Sequence, residues 1–484
     1  MKNAKVKKEG PGFKAYLGTT LMGLTDGLTN ALMTSFFMLY LTDYAGLGAK
    51  GAILGSTILV AARIFDAVND PLEGWIMDRA KVGVHGKYKK FIFISILFAA
   101  VGVSGSFFIP SQLPTAVVVI WVVVFYLLYD VGAAFFAPNL IYRTLTLDAG
   151  QRGTLALAPR MVGMMIGMVT AGLISIINKV NGSIGNMHTA FGVTVIVMVS
   201  IVTIFSLIGI SLVKEKYHTT EEAEKAEAPN FKDFFLLLKD NKALRIHVLD
   251  SVFGGFIWTF LFATTNYYMK WGLCADATGK INNDLYGFYT MISAVLMFLP
   301  LLLGTLAAAP ILRKIGDPMK FNRILLMMQF IPCGLLFVLH ITGVISAVPI
   351  LFFVCIGITA TAIGAGFMPG ATIEMECMDY QIWKNGTDRS GLCNACFRFL
   401  GKAQGAIANA IIGLLLVSIG YIVDSTTGDF VGDIAQIPHM LNGFIVIMGL
   451  IPCVLGFLSW IIAGFYPINN DIREQMKEKL SETK

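Results

Sequence analysis

Apolar stretches long enough to cross a bilayer recur along this chain, and one polar segment divides them into two sets of six. They begin near Leu17, Gly51, Phe91, Thr115, Thr154 and Thr189, and resume near Leu244, Leu285, Phe321, Ala347, Gly391 and Met440. Hydrocarbon is crossed by about 20 consecutive apolar residues in a helix, so the pattern predicts about twelve spans. Of the 484 residues 56% are hydrophobic and 14% charged, against about 25% charged in a soluble domain. A soluble fold is excluded, and the chain reads as an all-α membrane protein.

Lys and Arg in short loops set the orientation. The N-terminus, the loops 79–90, 143–160 and 313–323, the central segment and the C-terminus are rich in them, whereas 424–433 carries Asp424, Asp429 and Asp433. Both termini and the central segment are therefore expected in the cytoplasm, in an integral multi-pass protein of the plasma membrane. No cleavable leader is expected, because no short apolar core with a small-residue cleavage site follows the basic N-terminus. The net charge of +6 is a topology signal rather than a nucleic-acid signal, and a monomer is expected. Cys393 and Cys396 form a C-x-x-C without a second Cys or His cluster nearby. They read as buried thiols, and no cofactor is expected.

An internal echo supports two halves. Asp78-Arg79-Ala80-Lys81-Val82-Gly83, followed by Lys87, Lys89 and Lys90, comes after the second span; Arg313-Lys314-Ile315-Gly316-Asp317, followed by Lys320 and Arg323, comes after the eighth. The expected organisation is an N-terminal half over 1–213, a linker over 214–243 and a C-terminal half over 244–484. Parallel six-span repeats are the plan of the major facilitator architecture.

Charged groups inside spans carry the functional signal, because hydrocarbon tolerates them only toward a protein interior or a wet cavity. The second span holds Arg63-Ile64-Phe65-Asp66-Ala67-Val68-Asn69-Asp70-Pro71. Asp66 and Asp70 lie four apart on one helical face with Asn69 beside them. This hard-oxygen cluster suits a proton or a small cation, with Asp66 and Asp70 as metal ligands if the ion is Na+. Arg63, one turn before Asp66, either neutralises the pair or helps couple it. Glu73, toward the span's cytoplasmic end, reads as solvated or paired with Arg79. Asp26, Asp130 and Arg160 lie in the first, fourth and fifth spans, and Arg398 and Lys402 are one turn apart in the eleventh. Sugars are held by charged groups hydrogen-bonding their hydroxyls and by an aromatic ring on the sugar face. Asp26, Asp130 and Arg160 suit the first task; Tyr126, Tyr129, Phe135, Phe136 and Phe367 are candidates for the second, although packing is the commoner role. Gly163, Gly167 and Gly172 read as helix-packing positions.

The second-span run together with Gly74-Trp75 resembles the signature of the glycoside–pentoside–hexuronide:cation symporters, the family of the melibiose and glucuronide carriers. Gly86-Lys87-Tyr88-Lys89, then Asp379-Tyr380, Arg389, Lys402 and Gly420-Tyr421, and finally Phe465-Tyr466-Pro467, match further motifs of that family. The resemblance implies a cation site at Asp66, Asn69 and Asp70 and sugar contacts at Asp26, Asp130 and Arg160. It also implies that Lys402 couples cation and sugar. Leu127 stands where the melibiose carrier has a sodium-binding threonine, which weakens the case for sodium over protons. Ala134 replaces a stacking tryptophan, whereas Phe367 keeps an aromatic where a second one occurs. Arg398 replaces a neutral residue, an added cation that would suit a sugar acid. The expected function is cation-coupled (Na+ or H+) symport of a sugar, glycoside or hexuronide by alternating access, without enzymatic activity. The alternative is cation-coupled transport of a lysolipid or other amphiphile, against which Asp26 and Asp130 argue.

Overall fold

A computed structural model describes residues 10–45, 57, 58, 61, 65, 69, 72–83, 86–110, 114–171, 173–217, 231–276, 280–418 and 434–482. Among these the chain is helical, with two isolated backbone bridges, Gly83 to Gly86 and Ala275 to Ile281, in place of a sheet. Eight helices of the described residues are long and apolar enough to cross a membrane. Their flanks leave large apolar side chains exposed, among them Ile120, Ile204, Met291 and Val338, as a lipid-facing surface requires.

The expected start of the second span near Gly51 lies outside the described residues; the other helices start close to where the apolar pattern places them: Phe13–Met22 continuing as Leu24–Leu39, Lys89–Ser106, Thr115–Phe135, Ala149–Ala171, Met187–Leu212, Lys242–Tyr268, Asn283–Ile315, Pro318–Ile341, Ile350–Asn385, Ser390–Ser418 and Ile437–Ile445. The central segment differs from a plain linker, because Phe231–Asp240 forms a short helix within it. Asn241 then caps the next helix, accepting from Leu244 N–H at 2.9 Å while its amide donates to Cys377 C=O at 2.9 Å. The 36-residue helix Ile350–Asn385 is about 54 Å long, against about 30 Å of hydrocarbon. Its polar C-terminal turns therefore extend past the apolar layer.

The chain divides into two compact units: Met1–Leu237 with Met378–Cys396 and Glu474–Lys484, and Leu238–Cys377 with Phe397–Arg473. The first packs around Leu28, Phe37, Tyr40, Phe107, Val195 and Phe191, the second around Phe260, Tyr268, Trp271, Phe352, Phe353 and Phe444. In each, the first long helix runs into a π-helical turn, Tyr40–Tyr44 or Met269–Leu273. At that junction a tyrosine hydroxyl meets a histidine: Tyr40 with His188 at 3.3 Å, Tyr268 with His340 at 2.7 Å.

Candidate functional site

The expected cation face lies at the edge of what is described. Arg63, Asp66 and Asp70 fall outside the described residues. Asn69 is inside, and its amide donates to Glu73 Oε1. Glu73 is 2% exposed, which corrects its reading as a solvated carboxylate. It follows Asn69 by one turn and so shares that residue's helical face, whereas Arg79 lies exposed with its guanidinium 5.2 Å from the Trp75 ring centre. The signal was legible in the sequence, since Asp66, Asp70 and Glu73 repeat at helical spacing.

The sugar-site candidates Asp26, Asp130 and Arg160 lie in the first unit. The fourth span ends at Phe135, and the chain restarts as the short helix Pro138–Leu145. Proline suits a first helical turn but biases the residue before it away from helix, so Ala137 is non-helical and the axis breaks there. The new helix carries buried Tyr142, whose hydroxyl lies within electrostatic reach of both Arg160 and Asp26. Leu24–Leu39 and Ala149–Ala171 bring those two residues together by packing against each other through small residues: Gly27 faces Gly163 and Ile166, and Gly23 faces Pro159. Asp130 is buried on the fourth span at 9% exposure. Of the aromatic candidates there, Tyr126 packs on Phe37 with ring centres 5.4 Å apart and 6.1 Å from Tyr129, and Phe135 stacks on Phe91 at 5.5 Å. Tyr126 and Tyr129 belong to the apolar core, so the structure gives these rings packing roles. Phe367, Arg398 and Lys402 lie in the second unit, all half-buried, the last two on Ser390–Ser418.

Sequence reasoning missed a buried ionic cluster in the first unit. Arg143 Nε donates to Asp379 Oδ1 at 2.6 Å, and Arg152 donates to the other oxygen of the same carboxylate. Arg143 also meets Ser390 Oγ and, at 3.5 Å, Asp388. Arg152 further donates to the carbonyls of Thr146 at 2.7 Å and Arg143 at 3.3 Å. Beside it, Asp78 accepts from the Gly391 and Leu392 N–H groups, the latter at 2.9 Å, at the start of Ser390–Ser418. Such amides lack partners within the helix and carry the positive end of its dipole, so a carboxylate satisfies them. The Gly86-Lys87-Tyr88-Lys89 motif has a similar explanation. Glu215 accepts from the N–H groups of Lys87 at 2.9 Å, Tyr88 at 2.9 Å and Lys89 at 2.7 Å. A side chain at residue 86, where φ is +105°, would meet that carboxylate at 2.4 Å.

The second unit has its own knot. Arg473 holds Glu376 at 2.7 Å and Asp317 at 3.2 Å. Asp317 also caps Pro318–Ile341 by accepting from Met319 N–H at 3.0 Å, and Tyr466 donates to Glu376 at 3.5 Å. Burial opposes the charge on Arg473, but Glu376 and Asp317 outweigh it and push its pKa up.

A family profile for MFS/sugar transport proteins matches residues 20–470. The glucuronide carrier protein homolog of Escherichia coli (strain K12) is 25% identical over 480 residues, covering 95% of this chain and 93% of that protein. The isoprimeverose transporter of Lactiplantibacillus pentosus is 26% identical over 454 residues, covering 91% and 86%. The crystal structure of the E. coli fucose:proton symporter matches the fold with a TM-score of 0.62 at 15% identity, covering 94% of this chain and 98% of that one. The fold is that of the major facilitators, and the chain, a transporter rather than an enzyme, belongs to the MFS/sugar transport protein family.

Proposed function

We propose that this protein is a symporter that moves a sugar, glycoside or hexuronide together with Na+ or H+ by alternating access. Its six-span halves would be 1–213 and 244–484, joined by the linker 214–243, with both termini in the cytoplasm. The observation that carries the reading is the close packing of Leu24–Leu39 on Ala149–Ala171, with Gly27 against Gly163 and Gly23 against Pro159, which puts Asp26 and Arg160 on adjoining helices near Tyr142. An acid, a base and a hydroxyl on neighbouring helices can accept from and donate to sugar hydroxyls, with Asp130 on the fourth span. A lysolipid carrier has no use for such a set, and the names of the relatives do not favour that alternative.

In this reading Asp66, Asn69 and Asp70 take the cation, and Glu73 adds a carboxylate one turn on. Binding neutralises carboxylates that otherwise attract Lys402, which releases the lysine and favours the closed form. Arg398 and Phe367 complete the substrate site, with Arg398 able to take a uronide carboxylate in bidentate fashion.

The test is uptake into vesicles of a labelled glycoside, with competing glycosides and their matching glucuronides, with and without sodium and proton gradients. Competition by glycosides that depends on a cation gradient supports the proposal. A glucuronide advantage lost in Arg398→Gln assigns that residue to an acidic substrate. Uptake that competes with lysolipids and ignores every glycoside overturns the proposal.

A further inference from the structure

Three lysines gather at one end of a helix pair in the first unit. Lys89 and Lys90 begin Lys89–Ser106, and Lys214 follows Met187–Leu212. They border a groove of about 1060 Å3 whose other lining includes Phe93, Leu207 and Ile210. Glu215 also lines it, but its carboxylate is committed to the three backbone N–H groups of residues 87–89. The helix N-terminus is therefore already capped, and any anion entering the groove must be held by ammonium groups. Lys89 Nζ spends two donors on the carbonyls of Ser211 at 3.3 Å and Val213 at 3.0 Å, which leaves its third N–H.

The apolar side continues along the same two helices. Phe93, Ile204 and Ile208 are exposed, and farther along lies a second groove of about 510 Å3 lined by Val101, Phe108, Trp121, Phe125, Val199 and Ile204. From Lys90 to Ser104 the helix rises about 21 Å, more than the roughly 15 Å of hydrocarbon in one leaflet. A basic pocket opening onto a leaflet-length apolar track is of no use to a free inorganic anion.

We propose that this groove seats the phosphate of an anionic phospholipid among Lys89, Lys90 and Lys214, with an acyl chain lying along the track. Basic pockets at the ends of spans bind acidic headgroups in this way. The second unit differs at the corresponding helix ends. There Lys320 and Arg323 line a cavity of about 370 Å3, but Asp317 and Asp471 line it too, so it is not a basic pocket of the same kind. The lysines after the second span thus have a use that the transport cycle does not explain.

The test is native mass spectrometry of the purified full-length chain titrated with phosphatidylglycerol or phosphatidylcholine. Wild type should retain phosphatidylglycerol preferentially. Lys90→Gln/Lys214→Gln should retain one molecule fewer, with binding there about 30-fold weaker for two lost surface charges. Lys90→Arg/Lys214→Arg should bind as wild type does, and the melting temperatures of both variants should match wild type. Excess inorganic phosphate should leave the lipid bound. Equal retention of the two lipids by wild type, an unchanged count in the Gln variant, or displacement by inorganic phosphate would each overturn the proposal.

Discussion

Replacing Asp379 with alanine leaves two buried guanidiniums, Arg143 at 7% and Arg152 at 2% exposure, without the carboxylate that now engages each through a different oxygen. Removing one partner of a buried pair costs about 3–5 kcal/mol, chiefly because the remaining charge is uncompensated. Asp388 lies 3.5 Å from Arg143 and compensates it in part, so the low end of that range is expected. For a unit of this size the conversion is about 2 °C per kcal/mol, so the apparent melting temperature in detergent should fall by about 6 °C. Arg143→Gln added to the alanine variant removes one uncompensated charge, so the double variant should melt higher than the sum of the single changes requires, by about 0.5–3 kcal/mol of coupling. A single variant within about 2 °C of wild type, or strict additivity, would refute the reasoning.

Asp130→Asn should weaken substrate binding about 30-fold with no cation gradient, the equivalent of about 2 kcal/mol for a buried charged hydrogen-bond partner, as read by equilibrium binding; wild-type affinity would make Asp130 structural. Glu73→Gln should shift the cation concentration that half-activates uptake while leaving substrate affinity without cation unchanged, and an unshifted activation curve removes Glu73 from the cation face. Gly86→Ala forces a side chain into a positive-φ position 2.4 Å from the Glu215 carboxylate. It should lower stability by about 1–3 kcal/mol in thermal melts, and a neutral effect would contradict the capping role given to Glu215.

The spans were legible because twenty apolar residues in a row announce themselves without any partner. Glu73 was misread as solvated or paired with Arg79, although its burial follows from the same helical spacing that singled out Asp66 and Asp70. The ionic clusters were not legible, because their logic is tertiary. Arg143 and Asp379 stand 236 positions apart, and each alone reads as an ordinary charge at the end of a span. Tyr142 was hidden for the same reason, since its place near Asp26 and Arg160 depends on the break at Ala137. Tyr126 and Phe135 stayed candidates with packing the commoner role, because composition cannot tell an aromatic that lines a cavity from one packed on Phe37 or stacked on Phe91. The helix Phe231–Asp240 escaped because a ten-residue segment of mixed charge is too short to show a period clearly.

The most direct test of the account is accumulation in proteoliposomes of purified protein under an imposed inward cation gradient, with Asp70→Asn beside wild type. Cation-coupled symport predicts that wild type concentrates labelled substrate above the external level and loses that accumulation when an ionophore collapses the gradient. Asp70→Asn should only equilibrate substrate while keeping exchange across the membrane. Wild-type uptake indifferent to every cation gradient, or full accumulation by Asp70→Asn, would contradict it.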